Sequence, residues 1–178
     1  MDLVKIIKNT KKIFIKPLNT EIVTTRKKIN MIAINELSLL RQSRQTAQLK
    51  IIVNKKKLLN KLIGDGLLVS TPAGSTAYNL SVNGPILSLN SKKLAITPIS
   101  PFRPRRWKGK MISEKSQIKI INLDPKKRPV SSLADNMEVR NIKIVKVKID
   151  NSKSICLLYN KNKSLDKRIK FEQLMRKK

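Results

Sequence analysis

The sequence has 178 residues, 40% of them apolar and 3% aromatic, with Lys+Arg 40 against Asp+Glu 11 and a formal net charge of +29. That length and apolar share suit one domain with a real core and argue against global disorder, and Lys, Asn or Pro interrupts every apolar run short of the roughly 20 residues a membrane helix needs. With no histidine present, serine-histidine and cysteine-histidine catalysis and the commonest zinc ligand are excluded, leaving carboxylates, hydroxyls, backbone amides and cations.

In chain order, residues 1–12 place Leu3, Ile6 and Ile7 at a helical spacing too short to stand alone. No secretory signal pattern opens the sequence, so a cytoplasmic protein is expected. From Ile13 the pattern becomes short extended runs divided by turn chemistry. Strands are predicted over Ile13 to Ile15, Glu21 to Thr25, Met31 to Leu40, Leu49 to Val53 and Leu67 to Ser70. Further strands are predicted over Leu94 to Ile99, Ile118 to Asn122, Val130 to Leu133, Ile142 to Ile149 and Ile155 to Tyr159. So many short strands predict a mainly β fold, a sandwich of antiparallel sheets. In Ile142 to Ile149 the alternation slips by one residue, which predicts a β-bulge near Ile144 or Val145. Cys156, inside the run Ile155 to Tyr159, is expected to be a buried structural thiol.

Two segments depart from the strand pattern. Thr76 to Val82 follows a loop of small residues and is stopped by Asn83-Gly84-Pro85, which predicts a short helix. Ser164 to Met175 starts at a capping serine and spaces Leu165, Ile169, Phe171, Leu174 and Met175 for one helical face, which predicts a C-terminal helix.

The segment from Gly64-Asp65-Gly66 through Ser81 reads as a strand, a loop of Gly, Ser, Thr and Ala, and a helix start. Such a junction offers unpaired N–H groups and hydroxyls, and its small residues let a nucleotide approach the backbone. No lysine follows the glycine, so it is not a P-loop. Asp65 can accept from a ribose hydroxyl and Tyr78 offers a flat face for a ring; on the residues alone, a hydroxyl-capped helix with Tyr78 in the core fits equally well. A second constellation is Asn35-Glu36, a polar pair interrupting the apolar run Met31 to Leu40, which needs partners if buried and is otherwise a surface kink. A third is Pro98-Ile99-Ser100-Pro101-Phe102-Arg103-Pro104-Arg105-Arg106-Trp107, a proline-framed loop able to grip phosphate or to serve as a stiff corner.

These residues resemble the NAD kinase family. Asn35-Glu36 resembles its Asn-Glu motif, and Asp65-Gly66 through Ser81 resembles its long nucleotide-binding signature. The stretches Thr97 to Gly109, Lys127 to Asp135 and Ser164 to Gln173 are similar to the short bacterial form, so the resemblance spans nearly the whole chain from Ile13. It implies transfer of the terminal phosphate of ATP, with a divalent metal such as Mg²⁺, to the 2′-hydroxyl of the adenosine ribose of NAD, giving NADP. It also implies a β-rich C-terminal domain packed on an N-terminal α/β domain, in a homo-oligomer. Carried over by position, Asn35 and Glu36 contact the NAD riboses, while Asp65, Ala73, Thr76, Ala77, Tyr78, Asn79, Leu80 and Ser81 line the sites for its base and nicotinamide ends. Many relatives carry a glutamine that reaches the site where this chain has Met137.

The family's Gly-Gly-Asp-Gly motif, whose aspartate is taken as the base for the 2′-hydroxyl, belongs to the N-terminal domain and does not occur in this sequence. Gly64-Asp65-Gly66 corresponds instead to the second, downstream aspartate motif. The resulting division is residues 1–12 as a remnant of the N-terminal domain, 13–160 as the β-rich NAD-binding domain and 161–178 as a helical tail. No catalytic residue or metal ligand is assigned, and turnover by this chain alone is not expected. One alternative is an inactive NAD-binding remnant of the enzyme. A second is a basic nucleic-acid binder, suggested by the net charge. Against the second, the lysines are scattered rather than gathered, Ile and Asn are as abundant as an adenine- and thymine-rich coding sequence would make them, and aromatics for base stacking are few.

Overall fold

The computed structural model describes Ile7 and residues 9–160; the helix expected over Ser164 to Met175 lies outside them. In chain order the strands are β1 (Thr10–Ile15), β2 (Leu18–Thr24), β3 (Lys28–Ala33), β4 (Glu36–Arg41), β5 (Ala47–Val53), β6 (Lys56–Gly64) and β7 (Gly66–Ser70). A 3-10 turn (Gly74–Thr76) and a short helix α1 (Tyr78–Ser81) follow. The chain continues with β8 (Lys93–Ile99), β9 (Lys110–Ser113), β10 (Ile118–Asn122), β11 (Val130–Ala134), β12 (Met137–Val139), β13 (Ile142–Ile149) and β14 (Ile155–Asn160).

Two six-stranded sheets, ordered β3-β2-β13-β10-β5-β6 and β12-β11-β4-β7-β8-β9, face each other, and β1 with β14 forms a separate two-stranded ribbon. The pairings between these strands are antiparallel. Period-two alternation explains the first sheet. Leu18 and Ile22 of β2, Leu49 and Ile51 of β5, Ile118 and Ile120 of β10, and Val145 and Val147 of β13 are buried in one core cluster, while the lysines between them point outward. Each such Leu or Ile contributes about 1.5–3 kcal/mol of burial.

The second sheet is covered on both faces, and its strands β7 and β8 are accordingly buried along almost their whole length. In β7, Leu67 and Val69 enter the core cluster, whereas Leu68, equally buried, is outside it; in β8, Leu94 and Ile96 enter it and Ala95 does not. The opposite face carrying Leu68, Ala95 and Thr97 lies under the segment that runs from β7 to β8. Thr97 of β8 donates its hydroxyl to Asn79 Oδ1 of α1 at 2.7 Å.

The structure adjusts several expectations. The strand expected over Met31 to Leu40 is two strands in different sheets, broken at Ile34-Asn35. The bulge expected near Ile144 or Val145 is present, between Ile142 and Ile144 where β13 pairs with β2. The helix expected over Thr76 to Val82 is a 3-10 turn and one α-turn, divided at Ala77. Residues 10–12 belong to β1, whose pairing with β14 runs from Ile15 opposite Ile155 back to Thr10 opposite Asn160. Among the described residues nothing packs over the Phe14 face of that ribbon, so Phe14 is 65% and Leu158 54% exposed. For the same reason Cys156, expected in the core, is an exposed free thiol opposite Phe14.

Candidate functional site

The polar pair Asn35-Glu36 sits where the chain passes from one sheet to the other, and such a corner leaves backbone groups outside both ladders. Asp135, in the tight turn between β11 and β12, satisfies them. Its carboxylate accepts the N–H of Ile34 at 2.7 Å, of Asn35 at 3.0 Å and of Glu36 at 3.3 Å. Asp135 adopts φ 50° there and donates its own N–H to Glu36 O at 3.2 Å. Hydrogen bonds to an ionised acceptor are about twice as strong as neutral ones, so the corner is firmly held.

The other side of the corner is stitched to the loop after β7. Thr71 donates its N–H to Asn35 O at 2.9 Å, and its hydroxyl proton is shared between Ile34 O at 2.8 Å and Asn35 O at 3.0 Å. The same hydroxyl oxygen accepts the N–H of Gly74 at 3.1 Å. Gly74 packs so closely that a Cβ on it would lie 2.2 Å from Asn35 O, so no other residue fits without movement. Two motifs separated by some forty residues in the sequence therefore meet backbone to backbone.

Asn35 is exposed and Glu36 half-buried on this corner. One carboxylate oxygen of Glu36, Oε2, is buried without a hydrogen-bond partner. Burial, and then the negative charge of Asp135, push the Glu36 carboxyl up to about 6. A partly desolvated carboxylate with a free acceptor site suits a ligand hydroxyl or N–H donor.

The loop itself is rigidified from inside. Ser75 Oγ donates to Pro72 O at 2.7 Å and accepts the N–H of Leu87 at 3.0 Å. Asn79 is fully buried, its amide donating to Pro85 O at 2.9 Å and Ser75 O at 3.3 Å. What Asn79 offers in this structure is support for the loop. The four-residue α1 is too short for a macrodipole of any weight, and its N-cap, Ala77, makes no side-chain capping bond. Any ligand affinity here must come from hydroxyls, exposed N–H groups and Tyr78.

The remaining expected residues are spread over this surface. Asp65 is held by Arg41, whose Nε donates to Asp65 Oδ1 while its Nη1 donates to Ser43 O at 2.6 Å. Asp65 and Tyr78, the latter 37% exposed, share an open depression of about 560 Å³ with Arg41 and Arg44. Ala73 faces a different depression of about 270 Å³, beside Thr71, Pro72 and Lys92. Thr76, Ala77 and Leu80 are half-buried and Ser81 is exposed. The described surface thus gathers Asn35, Thr71 and Gly74 by direct bonds, with Glu36 held by Asp135, and leaves Asp65 with Tyr78, and Ala73, in two separate hollows. Thr71, Asp135 and Arg41 escaped the residue-level reading because each acts on a partner distant in sequence or on backbone atoms that no local pattern reveals.

Elsewhere the cations are differently placed. The guanidinium carbons of Arg103 and Arg105 lie 5.4 and 5.9 Å from the Phe102 ring centroid. Phe102 and Arg103 both donate their N–H groups to Ile63 O, making a pinned corner with its arginines exposed. On the outer face of the first sheet, Lys55, Lys119, Lys146 and Lys148 surround a shallow depression of about 550 Å³. There Glu21 binds Lys28 at 2.6 Å and Lys146 at 2.8 Å, which holds its carboxyl below the usual range. Among the described residues no helix is long and apolar enough to cross a membrane.

Residues 34–159 match the family model of the ATP-NAD kinase C-terminal domain. An NAD kinase of Rhizorhabdus wittichii is 49% identical over 158 residues, covering 88% of this chain and 62% of that protein. An NAD kinase of Xanthomonas oryzae pv. oryzae is 42% identical over 173 residues, covering 97% of this chain and 67% of its own length. Yeast NADH kinase, solved with NADH, has the same fold over 84% of this chain and 45% of that one, with a TM-score of 0.76 at 24% identity. An NAD kinase of Archaeoglobus fulgidus, solved with ATP, aligns over 86% of this chain and 56% of that one, with a TM-score of 0.67 at 21% identity. The chain spans about three fifths of the length of the curated relatives it matches.

Proposed function

The chain belongs to the NAD kinase family through its C-terminal domain, and from that premise we propose that it is the NAD-binding part of an enzyme that phosphorylates the 2′-hydroxyl of the adenosine ribose of NAD from ATP, giving NADP. The observation that carries this reading is the Asn35-Glu36 corner, bonded to the Thr71–Gly74 loop and holding a buried, unpartnered Glu36 Oε2. Glu36 and Asn35 supply acceptor and donor atoms for ribose hydroxyls, and the exposed face of Tyr78 packs against a ring. Asp65, Ala73, Thr76, Ala77, Leu80 and Ser81 form the rest of the NAD-facing surface, with Asn79 beneath it.

Phosphoryl transfer asks the protein chiefly for positioning and for charge stabilisation of the transferred group. This domain answers the first need, by holding the ribose. The aspartate that would take the 2′-hydroxyl proton belongs, by resemblance, to the Gly-Gly-Asp-Gly motif, which is outside this sequence. Among the described residues no cluster of three or more carboxylate or cysteine groups is placed to hold a metal. By the resemblance, a Mg²⁺ ion would come with ATP, and no step is assigned to it. The enzyme is expected to work in the cytoplasm as a homo-oligomer.

The test is NAD binding by calorimetry and NADP formation from NAD and Mg-ATP, read with an NADP-specific dehydrogenase. The expected result is saturable NAD binding, weakened by Asp65→Ala and Tyr78→Ala, with NADP formation at the no-enzyme background. NADP above background would mean that a carboxylate of this chain, with Glu36 and Asp65 the first to test, replaces the missing base. The lysine-lined outer face favours one other outcome, RNA affinity that falls steeply with salt and ignores both substitutions, and that outcome with no NAD binding would overturn the proposal.

A further inference from the structure

The Asn35-Glu36 corner depends on a residue about a hundred positions away. The N–H groups of Ile34, Asn35 and Glu36 all end on one carboxylate, that of Asp135. Ile34 and Asn35 lie between β3 of one sheet and β4 of the other, outside both ladders, and Glu36 opens β4 opposite Ser70 of β7. Asp135 in turn is fixed by the β11 to β12 turn, by its positive φ and by its N–H bond to Glu36 O. Asp135 therefore contacts the backbone of all three residues, and its side-chain oxygens are committed to that task.

We propose that Asp135 is a positioning residue for the bound nucleotide: by gathering the three N–H groups it sets the direction in which the Asn35 and Glu36 side chains meet the ribose, without touching the ribose itself. This rests on the NAD-binding role given above. Two observations bear on it. The corner is clamped from opposite sides, by Asp135 on its N–H groups and by Thr71 on its carbonyls, so release of one side lets the pair rotate about the other. In addition, Asp135 is a charged neighbour of Glu36 and, after burial, the second cause that raises its carboxyl to about 6. The residues opposite Glu36 in the adjoining strand are uncharged, Ser70 and then Thr71, so Asp135 is the charge through which this carboxyl is tuned.

A residue that merely stabilised the fold would change melting but not the chemistry of Glu36. The full 178-residue chain is therefore compared as wild type, Asp135→Asn, Asp135→Ala and Glu36→Gln. Three measurements are made: thermal melting, NAD affinity by calorimetry across pH 5 to 8, and the Glu36 carboxyl titration by NMR. Asn keeps one acceptor oxygen and loses the charge, so it is the variant expected to stay folded if Ala does not. The expected result is that Asp135→Asn, well below its melting temperature, binds NAD about tenfold more weakly, the effect of losing charged hydrogen bonds. Its Glu36 inflection should move to lower pH, and Glu36→Gln should lack that inflection. Wild-type affinity in folded Asp135→Asn, with the Glu36 inflection unmoved, overturns the proposal and leaves the NAD-binding role intact. Absence of NAD binding by the wild type removes that role and this proposal with it.

Discussion

Glu36 carries a cost that the rest of the corner maintains. Its folded carboxyl is raised from 4.5 to about 6, by burial first and by Asp135 second. Between those values the folded chain holds more protons than the unfolded one, so stability falls as pH rises through that window and the loss is complete above it. Because the group is half exposed, screening reduces the nominal cost to about 1 kcal/mol at pH 7. Glu36→Gln should therefore raise the melting temperature by about 2–4 °C at pH 7 and leave it unchanged at pH 4, measured by circular dichroism. Equal effects at both pH values would mean that the charge is not what the substitution relieves. Gly74 is the second sensitive residue. Gly74→Ala would drive a Cβ against Asn35 O and C, and a loss of about 2–3 kcal/mol in urea unfolding is expected, as for other overpacked sites. A neutral result would show that the loop can withdraw from the corner.

At the scale of elements, the segment between β7 and β8 is held by a few buried polar groups more than by helix formation. Asn79 bonds Ser75, Pro85 and Thr97 at once. Asn79→Ala would leave the Thr97 hydroxyl and two carbonyls without their partner, at a cost of about 2–4 kcal/mol. Hydrogen exchange should report faster opening of Gly74 to Leu87 in that variant, with β2 and β13 unaffected; uniform loss of protection would place Asn79 in the global core. The β1 and β14 ribbon is the contrasting element. Cys156 stands exposed on it opposite Phe14, so the native protein should react with a thiol reagent at nearly the rate of the denatured chain. A rate lowered a hundredfold or more, the mark of a thiol reached only by rare opening, would show that this face is covered in solution.

For the whole molecule, the net charge of +29 is the dominant long-range force. Lysines line the outer face of the first sheet, and only Glu21 bridges two of them there among the described residues. Raising ionic strength from about 0.01 to about 0.15 M shortens the Debye length from about 30 to about 8 Å. Self-repulsion is screened, and the melting temperature should rise. A melting temperature that falls with salt would mean that ion pairs outweigh the repulsion.

The mainly β character and most strand positions were legible from the sequence, because alternation of apolar side chains is a local consequence of burying one face of a strand. So was the loop that follows β7, since small and hydroxyl-bearing residues in one run have a local meaning. The strands β6, β9 and β12 were not: β6 carries register shifts against β5 that disturb its alternation, and the other two are short. The sheet change at Ile34-Asn35 was invisible because Met31 to Leu40 is apolar on both sides of it. The partners that hold the corner, Asp135 and Thr71, lie about a hundred and about thirty-six residues from it. Their carboxylate and hydroxyl could have capped any nearby turn, and only the packing of two sheets decided which backbone groups were left for them to satisfy.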